Sequence, residues 1–243
     1  MLIRTTIFLL LISLLSVAQA ETITVTQRYL MGDNDSRNDA RQVCFLLGKR
    51  KILEKAGTFI SSNTKVSLGR LEQDDITSIA GSILSVETKD ENWSFAGENM
   101  AVTLTLQADV DSKKMDKELR SILDSSSAQK QIAEQRRDLN QLERKITKLQ
   151  SQLANADGIE AGALRKQRTA TFTRIDEVEA RRISIVKRIN TQTASISKLS
   201  FGMTEEEIIS LSGQPTSRSR GFTHVLKLRY GISTLFLENG VLS

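Results

Sequence analysis

The chain is short of the residues on which catalytic and metal-binding proteins depend. Its 243 residues include one cysteine, Cys44, and one histidine, His224. One of each cannot build a structural zinc site, and a lone thiol excludes an internal disulfide framework. Cys44 falls in the apolar run "VCFLLG" and is expected to be buried. His224 stands inside the strand-like run "HVLKLRY" with no cysteine near it, and reads as a packed or solvated side chain. There is no Gly-x-Ser-x-Gly elbow and no phosphate-binding glycine loop. Aromatic residues make up 5%, and Phe172 is the only one between 110 and 200, so stacking on bases or sugars has no support there.

Long apolar runs are also missing, apart from the N-terminus. Arg4 precedes "TIFLLLISLLSV" (6–17), and "AQA" (18–20) has the small-x-small form of a cleavage site. The apolar stretch is too short for a membrane span, which needs ~20 residues. Residues 1–20 therefore read as a secretory signal, with a mature chain from Glu21 and a periplasmic destination. No cysteine follows the cleavage site, so lipidation there is not expected.

What is present divides the chain into three regions. Residues 21–124 read as a small α+β domain. "ETITVTQRYLM" is rich in β-prone residues, and apolar residues at 40, 43, 44, 47, 53 and 56 form a helical stripe ending near Gly57. "DDITSIAGSI" reads as a shorter helix. "ILSVETKDENWSFAGENMAVTLTLQADVD" reads as a strand, a turn region and a long strand with Met100, Val102, Leu104 and Leu106 on one face.

Residues 125–199 are helical with heptads. Ile132, Leu139, Ile146 and Leu153 fall seven apart, joined by Leu142 and Leu149. A second row holds Leu164, Thr171, Val178, Ile185, Gln192 and Leu199, with Ile175, Ile189 and Ile196 as companions; Arg168 and Arg182 take seam positions. The register changes across "NADGIEAG" (155–162), which carries turn signals. This favours a coiled-coil hairpin over one long helix pairing with a second copy of the chain, although both use the same heptads. Residues 200–243 read as a small α+β cap. Thr204 and Glu207 have capping-box spacing, Gly213 and Pro215 end the helix, and "HVLKLRY" and "STLFLE" alternate as strands.

Charge is uneven. Residues 21–127 carry 14 Lys and Arg against 17 Asp and Glu; residues 128–199 carry 15 against 8; residues 200–243 carry 4 of each. The basic excess belongs to the helical segment, where Arg136, Arg137, Arg144, Lys145, Arg181, Arg182, Lys187 and Arg188 are candidate contacts for an anionic lipid, glycan or protein surface.

Asp33, Asp35 and Asp39 invite comparison with a calcium loop, but Arg37 stands where the third ligand belongs, and neither the glycine nor the closing glutamate follows. The same residues suit a helix start, with Asp35 or Ser36 as cap and Asp39 in the first turn. No catalytic, cofactor-binding or metal-ligating residue is assigned.

Two segments resemble known families. "YLMGDNDSRNDARQVCFLLGKRKILEKAGTFI", "LEQDDITSIAGSILSV" and "GENMAVTLTLQADVD" resemble the N-terminal domain of the flagellar assembly protein FlgT and related exported domains, over about 22–123. "FGMTEEEIISLSGQPT", "LRYG" and "LFLENGVL" resemble the SmpA/OmlA family, which includes BamE-like outer-membrane assembly proteins, over about 199–243. Neither family is catalytic. The resemblances imply a periplasmic scaffold or adaptor that binds envelope proteins, with peripheral membrane contact at most and no nucleic acid. In this reading a helical hairpin holds the two end modules apart.

Overall fold

The computed structural model describes residues 20–63, 73–123, 125–220, 225–230 and 233–243. Residues 1–19, which make up all but the last residue of the expected signal 1–20, and His224 lie outside the described residues. The fold class is α+β, as the sequence implies.

Strand β1 (Ala20–Leu30) is followed by helices α1 (Arg37–Asn63) and α2 (Gln73–Ile83), then strands β2 (Glu87–Ala96) and β3 (Asn99–Asp111). The three strands form an antiparallel sheet in the order β1-β3-β2, so the long β3 is central and both neighbours are edges. On one face of β3, Val102, Leu104 and Leu106 are fully buried and pack with Ile23, Val25, Ala40, Cys44 and Ile52. Helix α1 approaches the sheet closely at Gly48. A Cβ there would stand 2.5 Å from Leu106 Cδ1 and 3.1 Å from Gln27 Cβ. The Cys44 thiol donates to the Gln27 carbonyl at 3.2 Å.

Two boundaries differ from the sequence reading. Helix α1 does not stop at Gly57 but runs on to Asn63, because Ala56 and Ile60 continue its buried stripe. The strand expected to begin at "ILSV" starts later, at Glu87, and takes in "KDENW" as part of β2. An edge strand with little to cover tolerates polar residues, and the turn falls at Gly97, whose φ is +66°.

Helix α3 (Ser112–Leu123) leads to two long helices, α4 (Ser126–Leu153) and α5 (Gly158–Ile196). Ser125 caps α4 by accepting from the Ala128 amide. The turn between them is tighter than 155–162, since Gly158 opens α5 and Gly162 is inside it. The helices run antiparallel. Leu149 and Leu153 pack on Ala161 and Leu164 at the tip, and Leu139 and Ile146 pack among Phe172, Ile175 and Val178. Ile132 and Ile185 join the main core near the root.

This pair is not a spacer. It lies on the side of α1 opposite the sheet, making a third layer, because α1 is apolar on two sides: Ala40, Cys44 and Ile52 meet the sheet, and Val43 and Leu46 meet the helical pair. At the far end of α5, Ile196 and Leu199 join a separate small core. That core belongs to helix α6 (Glu205–Ser212) and a sheet of β4 (Ser217–Arg220), β5 (Val225–Tyr230), β6 (Ser233–Glu238) and β7 (Val241–Leu242), paired in that order. Ile208, Leu228, Tyr230 and Leu237 fill it. The capping box of α6 is made: Thr204 Oγ1 accepts from the Glu207 amide, and Glu207 accepts from the Thr204 amide at 2.8 Å.

Candidate functional site

The chemistry of the molecule collects where the helical pair meets the α+β body. At the tip, the loop before α1 grips the turn between α4 and α5. Asn34 Nδ2 donates to the carbonyls of Leu153, at 2.9 Å, and Ala156, at 2.8 Å. The first is one of the last carbonyls of α4, which lack i+4 donors within the helix, and the second lies in the turn itself.

Beside Asn34, the aspartates do more than begin a helix. Ser36 caps α1, with its hydroxyl accepting from the Asp39 amide and donating to Asp39 Oδ2 at 2.6 Å. Asp35 accepts from the Tyr29 hydroxyl at 2.7 Å and from the Gly32 amide. Both carboxylates also face Arg168 of α5, which is fully buried. Its Nη1 donates to Asp35 Oδ1 at 2.5 Å, and its Nη2 lies 3.0 Å from Asp39 Oδ2 as an ion-pair contact. Burial, and then the bond to Asp35, push the Tyr29 hydroxyl above its ordinary range. The cluster that resembled half a calcium loop is therefore occupied by a guanidinium. Among the described residues no group of three or more His, Cys, Asp or Glu side chains could hold a metal ion.

Further along the interface is a crevice of about 440 Å³, walled by α1 and α2 on one side and by α4 and α5 on the other. Lys49 of α1 pairs with Glu179 of α5 at 2.5 Å, and Arg136 of α4 pairs with Asp75 of α2 at 2.8 Å. Glu143 faces the same space, and burial raises its carboxyl above the ordinary range. At the inner end sits Arg182. Its Nε donates to Ser82 Oγ at 3.2 Å, and its Nη2 donates to the Ser78 carbonyl. Burial lowers the guanidinium from its ordinary value, with Glu179 and Glu143 acting in the opposite sense.

The eight basic candidates are thus sorted by position. Arg182 is buried in the interface and cannot meet an external surface. Arg136 is tied to Asp75. Arg137, Arg144, Lys145, Arg181, Lys187 and Arg188 are exposed, with Arg188 donating to Gln131 and Arg181 3.9 Å from Glu177. The correction has a legible cause. Arg182 recurs in the same heptad row as Ile175 and Ile189, and a seam position predicts burial whatever the side chain. Its neutral partners, Ser78 and Ser82, lie about a hundred residues away and carry no sequence signal. The chain matches no protein-family model, no curated protein and no solved structure.

Proposed function

We propose that the chain is a non-catalytic adaptor of the bacterial cell envelope, exported to the periplasm, in which a FlgT-like body and an SmpA/OmlA-like cap are joined by a coiled-coil hairpin. The reading is supported by the export signal, by the two resemblances and by the separate core of the C-terminal unit.

The observation that carries it is the apolar surface of that unit. Phe201 is 85% exposed, and Phe236 and Val241 stand on the sheet face turned away from Ile208. Lys227 lies over the Phe236 ring at 5.6 Å, leaving a cationic rim beside an apolar centre. A protein surface with an apolar knob and acidic surroundings fits this arrangement. Photo-crosslinking residues placed at 201 and 236 in living cells test it. Crosslinks to one envelope protein, lost on adding Phe201→Ser or Phe236→Ser at the other site, are the expected result. Two sites that yield no product would remove the adaptor reading.

A second reading, attachment to an anionic lipid or glycan, is favoured by the exposed cations of the helical pair. Its variants must avoid Arg136 and Arg182, which hold the fold. Arg137→Glu with Lys145→Glu should weaken co-sedimentation with phosphatidylglycerol vesicles at low salt, and unchanged binding rejects this reading.

A further inference from the structure

Burying a charge is costly unless an opposite charge is buried with it. The two arginines in the seam of α5 meet this requirement differently. Arg168 has Asp35 and Asp39 at 2.5 and 3.0 Å. Arg182 is only 5% exposed, yet its hydrogen bonds go to neutral oxygens of Ser78 and Ser82. Among the described residues no carboxylate lies within 4.0 Å of it, the ion-pair limit. The carboxylates whose charge reaches it are Glu179 and Glu143. Glu179 is already bonded to Lys49, and burial raises the Glu143 carboxyl while Arg50, Arg182 and Lys49 act to lower it.

The guanidinium borders open space, whose lining carries five cations, Lys49, Arg50, Arg136, Arg144 and Arg182, against four carboxylates, Glu54, Asp74, Glu143 and Glu179. Arg182 lines the 440 Å³ crevice, together with Arg144, which is exposed at its edge and has no ion pair among the described residues. Ser78 is also on the lining, and its hydroxyl is buried with no hydrogen-bond partner among the described residues. The guanidinium is seated by a glycine. A Cβ at Gly81 would stand 2.8 Å from Arg182 Nη2 and 3.1 Å from Leu53 Cδ1. Leu46, Leu53 and Leu139 are the apolar part of the lining, with Leu53 beside the Arg182 guanidinium at Gly81.

We propose that this crevice binds a small molecule carrying a phosphate-type oxyanion, held by Arg182 at the inner end and Arg144 at the edge. A guanidinium offers paired N–H donors that match oxyanion geometry. A cavity of this size falls at the small end of the roughly 300–1,000 Å³ range for ligand sites. The apolar wall accommodates the carbon part of the ligand. This inference is independent of the adaptor reading, and of the exposed basic residues it uses Arg144 alone, at the mouth of the crevice.

The test is calorimetry and thermal shift on the mature chain, with inorganic phosphate, glycerol 3-phosphate and phosphatidylglycerol vesicles as probes at constant ionic strength. The expected result is saturable binding of at least one probe. Arg144→Ala should weaken it at least tenfold without changing the unliganded Tm, and Arg182→Gln should abolish it. Arg165→Glu with Lys166→Glu, on the outer surface, should leave it intact. Binding to vesicles alone assigns the anion to a lipid headgroup, and binding of the soluble probes assigns it to a free solute. Absence of saturable binding by every probe overturns the proposal, as does binding that survives Arg144→Ala or is lost with the outer pair. Should Arg182→Gln not fold, Arg144→Ala decides alone.

Discussion

Arg168 and Arg182 sit two heptads apart in α5, and each holds its own set of polar contacts across the interface. Removing one partner from a buried ion pair strands the other charge, at a cost of about 3–5 kcal/mol. Arg168→Met should therefore destabilise the chain by about that amount in urea titrations, because the side chains of Asp35 and Asp39 are 6% and 8% exposed. Adding Asp35→Asn and Asp39→Asn should recover much of the loss. Equal losses in the single and triple variants would show that packing, not charge, is what Arg168 supplies. Glu118 provides a pH test. It is 8% exposed, and burial raises its carboxyl from the ordinary 4.5. A raised value means that the folded state holds the proton more tightly. The group's contribution to stability is complete below 4.5 and is lost as pH climbs through the raised value. Glu118→Gln should then have a higher Tm than the native chain at pH 7, with the two curves meeting below about pH 4. A constant difference at every pH would contradict this.

Among the elements, α1 shows how far the sequence could be read. Its buried stripe and the Ser36 cap are legible, because periodicity and capping are local. Its continuation past Gly57 is not, since that depends on what Ile60 meets in space. Strand β4 was not legible either: "SRSR" has no apolar residue, and it pairs because β5 offers an edge. The heptad rows mark which faces of α4 and α5 are buried, but nothing in them says that the pair would lie against α1. The signal for that was the second apolar side of α1 at Val43 and Leu46. Close packing at Gly48 gives a direct check of this layer. Gly48→Val must displace Leu106, and overpacking of this kind costs about 1–3 kcal/mol, readable as a lower urea midpoint. At the tip, Asn34→Ala should remove two hydrogen bonds worth about 0.5–1.5 kcal/mol each. Amide exchange between residues 153 and 158 should speed up, while the root near Ile132 stays protected. Uniform protection along α4 would mean that the Asn34 bonds do not hold the tip.

Taken whole, the molecule uses its heptad residues within one chain. Leu139, Ile146, Val178 and Ile185 are all buried, so pairing between copies through those rows would require the helical pair to open. Light scattering on residues 21–243 should give the mass of a single copy. A dimer would have to use other surfaces, and the apolar residues at Phe201 and Phe236 would be the first to examine by substitution. The same architecture sets an order of events. Asp35 and Arg168 are separated by 133 residues, and synthesis at roughly 5–20 residues per second puts many seconds between them. A chain that emerges N-terminus first presents α1 with one side on its sheet and the other, Val43 and Leu46, facing water. The aspartates wait hydrated until α5 arrives to neutralise and bury them, so a chain cut short before residue 168 should be a sticky half-product in need of a chaperone.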